Sequence, residues 1–392
     1  MKLSFAHMGP ISVYRRLIEA LGHEVIMPQK PTQRTFDLGT KYSPEFLCFP
    51  FKCLTGTFIE ALERGAEGII TVGTSQSCRA GFYAEIHRRI MKSLGYSAQF
   101  FALDFHRPRE FIQTLAELKG NCSWWRFIDI IRLYYAIIAA LDRLQAKVRL
   151  LRAYEQRAGD FVRVWQQILE LFDTCRSRRE IPELERSALE LISRLPLRQA
   201  ENAVRIAIVG EVYVVMEAHA NLDLETKLAS LGVEVVNSQY ISHWLRRRLP
   251  WHKASVEIAL ARASQYLKID LGGHDQENIA HIIEYREQGV DGIIHLLPFG
   301  CLPELVVQSI LPRLSKDLDL PILSLSVDEQ QSTANYHTRI EAFVDLVRTK
   351  KRSRARTFWP IQAHPDFTGI LEPVNAARLG AIAVAAGTFP WC

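Results

Sequence analysis

Gly289-Val-Asp-Gly-Ile-Ile-His-Leu-Leu-Pro-Phe-Gly-Cys-Leu-Pro-Glu304 decides the fold. Asp291 to Leu297 is a short, nearly continuous apolar run, the pattern of a strand buried on both faces of a parallel sheet. Cys301 follows at its carboxyl end, with Gly300 before it and a helix start after it, where open α/β sheets build their sites. The arrangement has a precedent earlier in the chain. Gly65-Ala-Glu-Gly-Ile-Ile70 leads through Thr71-Val-Gly-Thr74 to Ser77-Cys78-Arg79. Two similar strand-to-cysteine turns imply two half-sites facing one another.

Outward from these turns, strands and helices alternate as parallel βαβ units require. In the first part, Lys2 to Met8 reads as a strand, Ile11 to Leu21 as a helix and His23 to Met27 as a second strand. After a loop come a helix over Lys52 to Arg64, a strand over Gly68 to Gly73, a helix over Phe82 to Leu94 and a strand over Ala98 to Leu103. From Pro108 to Gln199 the strand signal gives way to long helical periodicity. The strand pattern resumes at Arg205-Ile-Ala-Ile-Val-Gly-Glu-Val-Tyr213, and Leu231-Gly-Val-Glu-Val235 echoes Leu21-Gly-His-Glu-Val25. A helix from about Leu222, a strand over Pro321 to Val327 and a helix over Thr338 to Arg348 complete the pattern. The reading is an α/β protein with two Rossmann-like parallel-sheet domains, related by internal duplication. Its expected parts are a first α/β domain (1–107), a helical insertion or bridge (108–202), a second α/β domain (203–350) and a C-terminal extension packing on the core (351–392).

At 392 residues the chain exceeds what one core normally serves, and 48% hydrophobic residues exclude a disordered protein. The most apolar helical stretch, Phe127 to Leu144, carries Asp129, Arg132, Asp142 and Arg143 and is short for a membrane span. The amino terminus enters a strand pattern without a signal-type apolar segment, so the expectation is a cytoplasmic protein. A net charge of +5 is modest, and its densest run, Lys350-Lys-Arg-Ser-Arg-Ala-Arg356, reads as a solvated helix end, with no nucleic-acid motif beside it.

The seven cysteines are Cys48, Cys53, Cys78, Cys122, Cys175, Cys301 and Cys392. An odd number argues against a disulfide framework. Cys48, in Pro44-Glu-Phe-Leu-Cys-Phe-Pro-Phe-Lys52, lies like Cys78 and Cys301 in a turn feeding a helix, whose positive amino end stabilises thiolates and the sulfides of a cluster. These three are the expected ligands of an iron-sulfur site, with Lys52 and Arg79 as neighbouring cations that tune it. The plain alternative is three separate buried thiols. Zinc suits the pattern less, because there is no Cys-x-x-Cys hook. Cys53, five residues from Cys48, is either a fourth thiolate or, as read here, structural, since a helix turns it away, and Cys122, Cys175 and Cys392 are read as inert.

Taken together, Cys48-Phe-Pro-Phe-Lys52, Phe58-Ile-Glu-Ala-Leu-Glu-Arg-Gly-Ala66, Cys78-Arg-Ala-Gly-Phe-Tyr-Ala-Glu85, Gly210-Glu-Val-Tyr-Val214, Pro298-Phe-Gly-Cys-Leu-Pro-Glu304 and Thr338-Arg-Ile-Glu-Ala-Phe-Val-Asp345 resemble the 2-hydroxyacyl-CoA dehydratase superfamily. The nearest branch is its activase-associated dehydratase-like proteins, related to the double-cubane cluster proteins. The resemblance implies a cluster held by Cys48, Cys78 and Cys301 in the cleft between the two domains. It also implies electrons delivered singly by an ATP-dependent iron-sulfur activase, and low-potential reduction or radical dehydration of a small molecule or acyl-CoA. A 4Fe-4S cluster fits three thiolates; an 8Fe-9S double cubane needs six. A homodimer or a related dehydratase subunit is the further partner implied. The segment Asp328-Glu-Gln-Gln-Ser-Thr-Ala-Asn335 departs from the family in carrying no Gly. Two alternatives remain: a non-catalytic cluster or electron carrier, and a metal-free small-molecule-binding α/β protein.

Four further residues are candidates for the cleft. His274, in Leu271-Gly-Gly-His-Asp275, reads as a proton donor or as a capping residue, and Glu304 as a first-turn helix residue. Glu211 and Tyr213 are read on the strand end, facing either the cleft or the core. Neither Gly9-Pro10 nor Gly210-Glu211 forms a dinucleotide fingerprint or P-loop, which assigns the ATP to the partner.

Overall fold

Two four-stranded, wholly parallel sheets with the same strand order form the frame of the molecule. The computed structural model describes residues 1–73, 78–198, 203–237, 239–247, 260–330 and 333–357. The first sheet comprises β1 (Lys2–Phe5), β2 (Glu24–Val25), β3 (Gly68–Gly73) and β4 (Gln99–Asp104), in the order β2-β1-β3-β4. The second comprises β5 (Arg205–Gly210), β6 (Glu234–Asn237), β7 (Gly292–Pro298) and β8 (Ile322–Val327), in the order β6-β5-β7-β8. In each, the chain steps outward from the first strand to the second and then returns to its other side. That reversal opens a crevice at the carboxyl ends of β1 and β3, and of β5 and β7. Every residue of β7 is buried, as its unbroken apolar run requires.

The helix Phe49–Glu63 joins the two halves. Its first 14 residues are all buried, so it cannot be a one-sided surface helix. One apolar cluster runs through Phe51, Phe58 and Ile69 of the first domain into Ile208, Leu296 and Leu325 of the second. Separate clusters fill the outer face of each sheet. Trp124–Leu151, Asp160–Asp173 and Ile181–Ser193 form a helical layer with its own core around Ile137, Leu141, Phe161 and Ile168, whereas the helix Pro108–Leu118 packs on β4 of the first sheet, its Leu118 in the cluster of Leu3, Phe5 and Phe101. Among the described residues, no helix is long and apolar enough to cross a membrane.

Several elements differ from the sequence reading. Phe49–Glu63 starts three residues before Lys52, because Pro50 in the first turn presets the helical φ and needs no amide partner there. The stretch read as a loop contains the helix Gln33–Tyr42, entered through a reciprocal Thr32–Thr35 capping box. It packs so closely on Phe49–Glu63 that a Cβ at Gly39 would meet the carbonyl of Lys52, and one at Gly56 that of Thr35. Tyr213 is not on a strand: β5 ends at Gly210, and Val212–Met216 is a short helix capped by Glu211. The last helix, Thr333–Thr357, continues through the whole basic run, where Lys350 pairs with Asp319 and Lys351 with Asp291. Of the expected C-terminal extension, 358–392 lies outside the described residues.

Candidate functional site

Cys48, Cys78 and Cys301 each occupy the residue before a helical segment, with extended backbone and no side-chain capping bond. Cys48 precedes Phe49–Glu63, Cys78 precedes the turn Arg79–Phe82, and Cys301 precedes Leu302–Asp317. In a parallel βαβ unit the helix runs against the strands, so its amino end lies at the carboxyl edge of the sheet. That geometry delivers Cys48 and Cys78 to one edge and Cys301 to the other. None of the three thiols is engaged in capping its own helix.

The edges meet directly. The amide of Phe49 donates to the carbonyl of Phe299 at 3.0 Å. Gly300 has φ +76°, and a Cβ there would lie 3.3 Å from the Cα of Cys48, so only glycine allows this approach. Arg79 ties all three turns: its Nη1 donates to the carbonyl of Phe46, two residues before Cys48, and lies 3.4 Å from that of Gly300, the residue before Cys301. Gly273 brings in the loop before the helix Asp275–Glu287, since a Cβ on it would stand 3.9 Å from Sγ of Cys78 and 3.2 Å from Pro303.

Burial pushes the Cys48 thiol up to about 11, against the opposing hydrogen bond with Tyr83, whose hydroxyl is 2.6 Å from Sγ. Burial also raises Cys301 strongly, helped by the charges of Glu304 and Glu211, and raises Cys78. The charge of Glu211 adds to the upward push on all three thiols. That carboxyl accepts the amides of Tyr213 and Val214 at 3.0 and 3.1 Å, yet burial still pushes it up to about 7. Burial in the crevice thus favours neutral thiols, and Glu211 keeps its proton up to about pH 7.

Beneath Cys301 the polar groups are closed on one another. His295, fully buried on β7, pairs through Nε2 with Glu304 at 2.7 Å and through Nδ1 with Ser324 at 3.0 Å. Asn278 donates to both oxygens of Glu304 and accepts from the amide of Gly210. Glu304 is thus a buried anchor, and His274 is engaged by Glu277 at 2.9 Å. Lys52 gives its ammonium to Glu329 at 2.5 Å, clasping the segment after β8. Sequence reasoning missed Tyr83, the Glu304–His295–Asn278 network and a His7–Glu217–His219 bridge of 2.6 and 2.9 Å between the two domains. Only the Gly-Glu pair after β5 carried a local signal.

The other thiols lie elsewhere. Cys53 is fully buried within the shared core and Cys175 within the helical layer. Cys122 is partly exposed before the helix Trp124–Leu151, and Cys392 lies outside the described residues. Among the described residues no three His, Cys, Asp or Glu side chains are gathered as a single metal ion needs. A polynuclear cluster puts its thiolates on different irons, and three thiols in uncapped turns have the donor chemistry for that.

Fold and crevice define a two-domain α/β protein whose half-sites, carried on matching strand-to-helix turns, close on one another. The chain belongs to the family described as 2-hydroxyglutaryl-CoA dehydratase, D-component, whose model matches residues 10–347. No curated protein matches. Among solved structures, the SBP FpvC of P. aeruginosa, determined in complex with Ni2+, is similar at 11% identity and a TM-score of 0.21, over 92% of this chain and 99% of that one. A structural likeness that weak carries no argument about fold or ligand.

Proposed function

We propose that the protein is an iron-sulfur component of the 2-hydroxyacyl-CoA dehydratase type, with a 4Fe-4S cluster on Cys48, Cys78 and Cys301. A cluster bound there supplies single low-potential electrons for reduction or radical dehydration of a small molecule or acyl-CoA, after charging by an ATP-dependent iron-sulfur activase. The observation that supports this reading is that three helix-preceding cysteines lie in turns that touch across the two sheets, Gly300 against Cys48, Arg79 against Phe46 and Gly300, and Gly273 against Cys78 and Pro303.

The chain's own residues serve such a role directly. Tyr83 can donate to the Cys48 sulfur and favour its thiolate. Arg79 fixes the spacing of the three turns by binding their backbone, which leaves the sulfurs unobstructed. Cys48 and Cys301 are buried away from water, while Cys78 is partly exposed toward the mouth. Around the mouth, Phe46, Phe82 and Phe299 are 81%, 65% and 58% exposed, and Leu302 and Leu305 are exposed beside them. An apolar rim at a functional crevice is the surface a partner protein covers. That supports an activase or a second dehydratase subunit at this face.

The test uses protein purified without oxygen and loaded with iron and sulfide. Reduced activase and ATP are added, acyl-CoA thioesters and small reducible molecules are screened, and the cluster is followed by EPR. Substrate-dependent ATP turnover with a changed cluster signal supports the enzyme. A cluster inert to every substrate, but transferred intact to an acceptor protein, supports the carrier instead.

A further inference from the structure

The helix Trp124–Leu151 starts with an apolar face turned to solvent. Ser123 caps it by accepting the amide of Arg126 at 3.3 Å, which fixes the first turn. Trp124, Trp125, Ile128 and Ile131 are exposed, Trp124 by 43% and Trp125 by 82%, while Phe127 and Tyr134 on the same helix are buried. At about 100° per residue, Trp124, Ile128 and Ile131 fall within about 60° of one another, and Trp125 and Arg132 flank them together on one side. Trp124 is braced from within. Its ring packs edge-on against Phe127 with 5.7 Å between centroids, and the ammonium of Lys119 lies 5.5 Å from its centre. Arg132 is exposed and, among the described residues, forms no ion pair.

A contiguous apolar stripe of this kind marks an interaction surface, whereas single exposed apolar side chains do not. The order of residues along it identifies what covers it. Trp124 stands seven residues before Ile131 and Trp125 seven before Arg132, with Ile128 near the middle of both pairs. A twofold axis at Ile128 therefore sets two such helices antiparallel, with Trp124 on the other copy's Ile131 and Trp125 on its Arg132, each contact made twice. Arg132, unpaired in the single chain, gains an aromatic face there. Parallel pairing would set Arg132 against Arg132. An anionic membrane suits the stripe less, because Asp129 is exposed on the same turns.

We propose that two copies of this chain associate through residues 124–132, paired antiparallel about a twofold axis at Ile128, with Trp125 stacked on the partner's Arg132. The surface belongs to the helical layer, not to the turns around the cysteine crevice, and does not depend on any cluster.

Sedimentation velocity and light scattering of the full-length protein across micromolar concentrations test the assignment. A species of twice the chain's 44.8 kDa is expected. Ile128→Asp sets two carboxylates together at the axis and should weaken association at least about a hundredfold. Trp125→Arg should do the same by opposing two arginines. Trp125→Arg combined with Arg132→Trp exchanges the two partners and keeps each stacked pair, so it should restore the dimer. Circular dichroism and a melting temperature show that each variant folds. A chain monomeric at every concentration, or a dimer unmoved by Ile128→Asp, would overturn the proposal. Failure of the exchange to restore what Trp125→Arg loses would overturn the antiparallel pairing. Co-sedimentation of a monomeric protein with phosphatidylserine vesicles, lost in Ile128→Asp, would give the surface to a membrane instead.

Discussion

The hydroxyl of Tyr83 lies 2.6 Å from the sulfur of Cys48, although the two residues belong to different turns of the first domain. Burial drives the Cys48 thiol upward and this contact pulls it back. Tyr83→Phe removes the opposing bond, so the thiol should rise further and react more slowly. A neutral hydrogen bond of about 1 kcal/mol corresponds to a roughly fivefold slower alkylation of Cys48 in the cluster-free protein. Mass-spectrometric timing of iodoacetamide labelling at that residue provides the check, and an unchanged rate would show the contact to be energetically empty.

Glu211 makes stability fall as pH rises. Its folded value is about 7 against an ordinary 4.5, chiefly through burial, so the folded state keeps a proton that the unfolded state has released. The penalty is absent below about 4.5, develops between there and about 7, and reaches roughly 3 kcal/mol above that. Glu211→Gln should leave stability at pH 4 unchanged and raise it at pH 8, as measured by urea unfolding of the cluster-free protein. A parallel offset at both pH values would contradict this.

His87 acts in the opposite sense. Its ring stacks on Phe51 at 4.0 Å, its Nε2 reaches Thr55 at 3.1 Å, and its Nδ1 is buried without a partner among the described residues. Burial lowers it to about 3 from 6.5, so the neutral ring is stable in the fold while the unfolded chain takes a proton. Its contribution is complete above about 6.5 and is lost as pH falls toward about 3. His87→Phe should flatten the acid limb of the unfolding curve by a few kcal/mol over that window. An unaltered limb would show that other groups govern acid unfolding.

The turns that carry Cys78 and Cys301 were legible because each follows a Gly-bounded apolar strand, a local pattern fixed by parallel-sheet burial. The start of Phe49–Glu63 was not, because a helix apolar on every face shows no 3.6-residue period in Phe49-Pro-Phe51. The same ambiguity placed Tyr213 on a strand, when Glu211 ends the strand by capping a helix. Contacts such as Tyr83 with Cys48, His295 with Glu304 and His7 with Glu217 join separate segments, and no local pattern encodes them. The helix Gln33–Tyr42 was hidden because only Phe36, Leu38 and Tyr42 hold it to the core by apolar contact, and Gly39, needed for the close backbone approach, is a poor helix former.

The central claim is that Cys48, Cys78 and Cys301 together hold one cluster. Its most direct test is iron and acid-labile sulfide content with an EPR spectrum, on anaerobically prepared wild-type protein and on single Cys→Ser variants. The account expects about four irons and four sulfides per chain in the wild type, as a 4Fe-4S cluster requires. That content should collapse in Cys48→Ser, Cys78→Ser and Cys301→Ser and persist in Cys122→Ser and Cys175→Ser. Normal content and spectrum in a folded Cys301→Ser protein would contradict it.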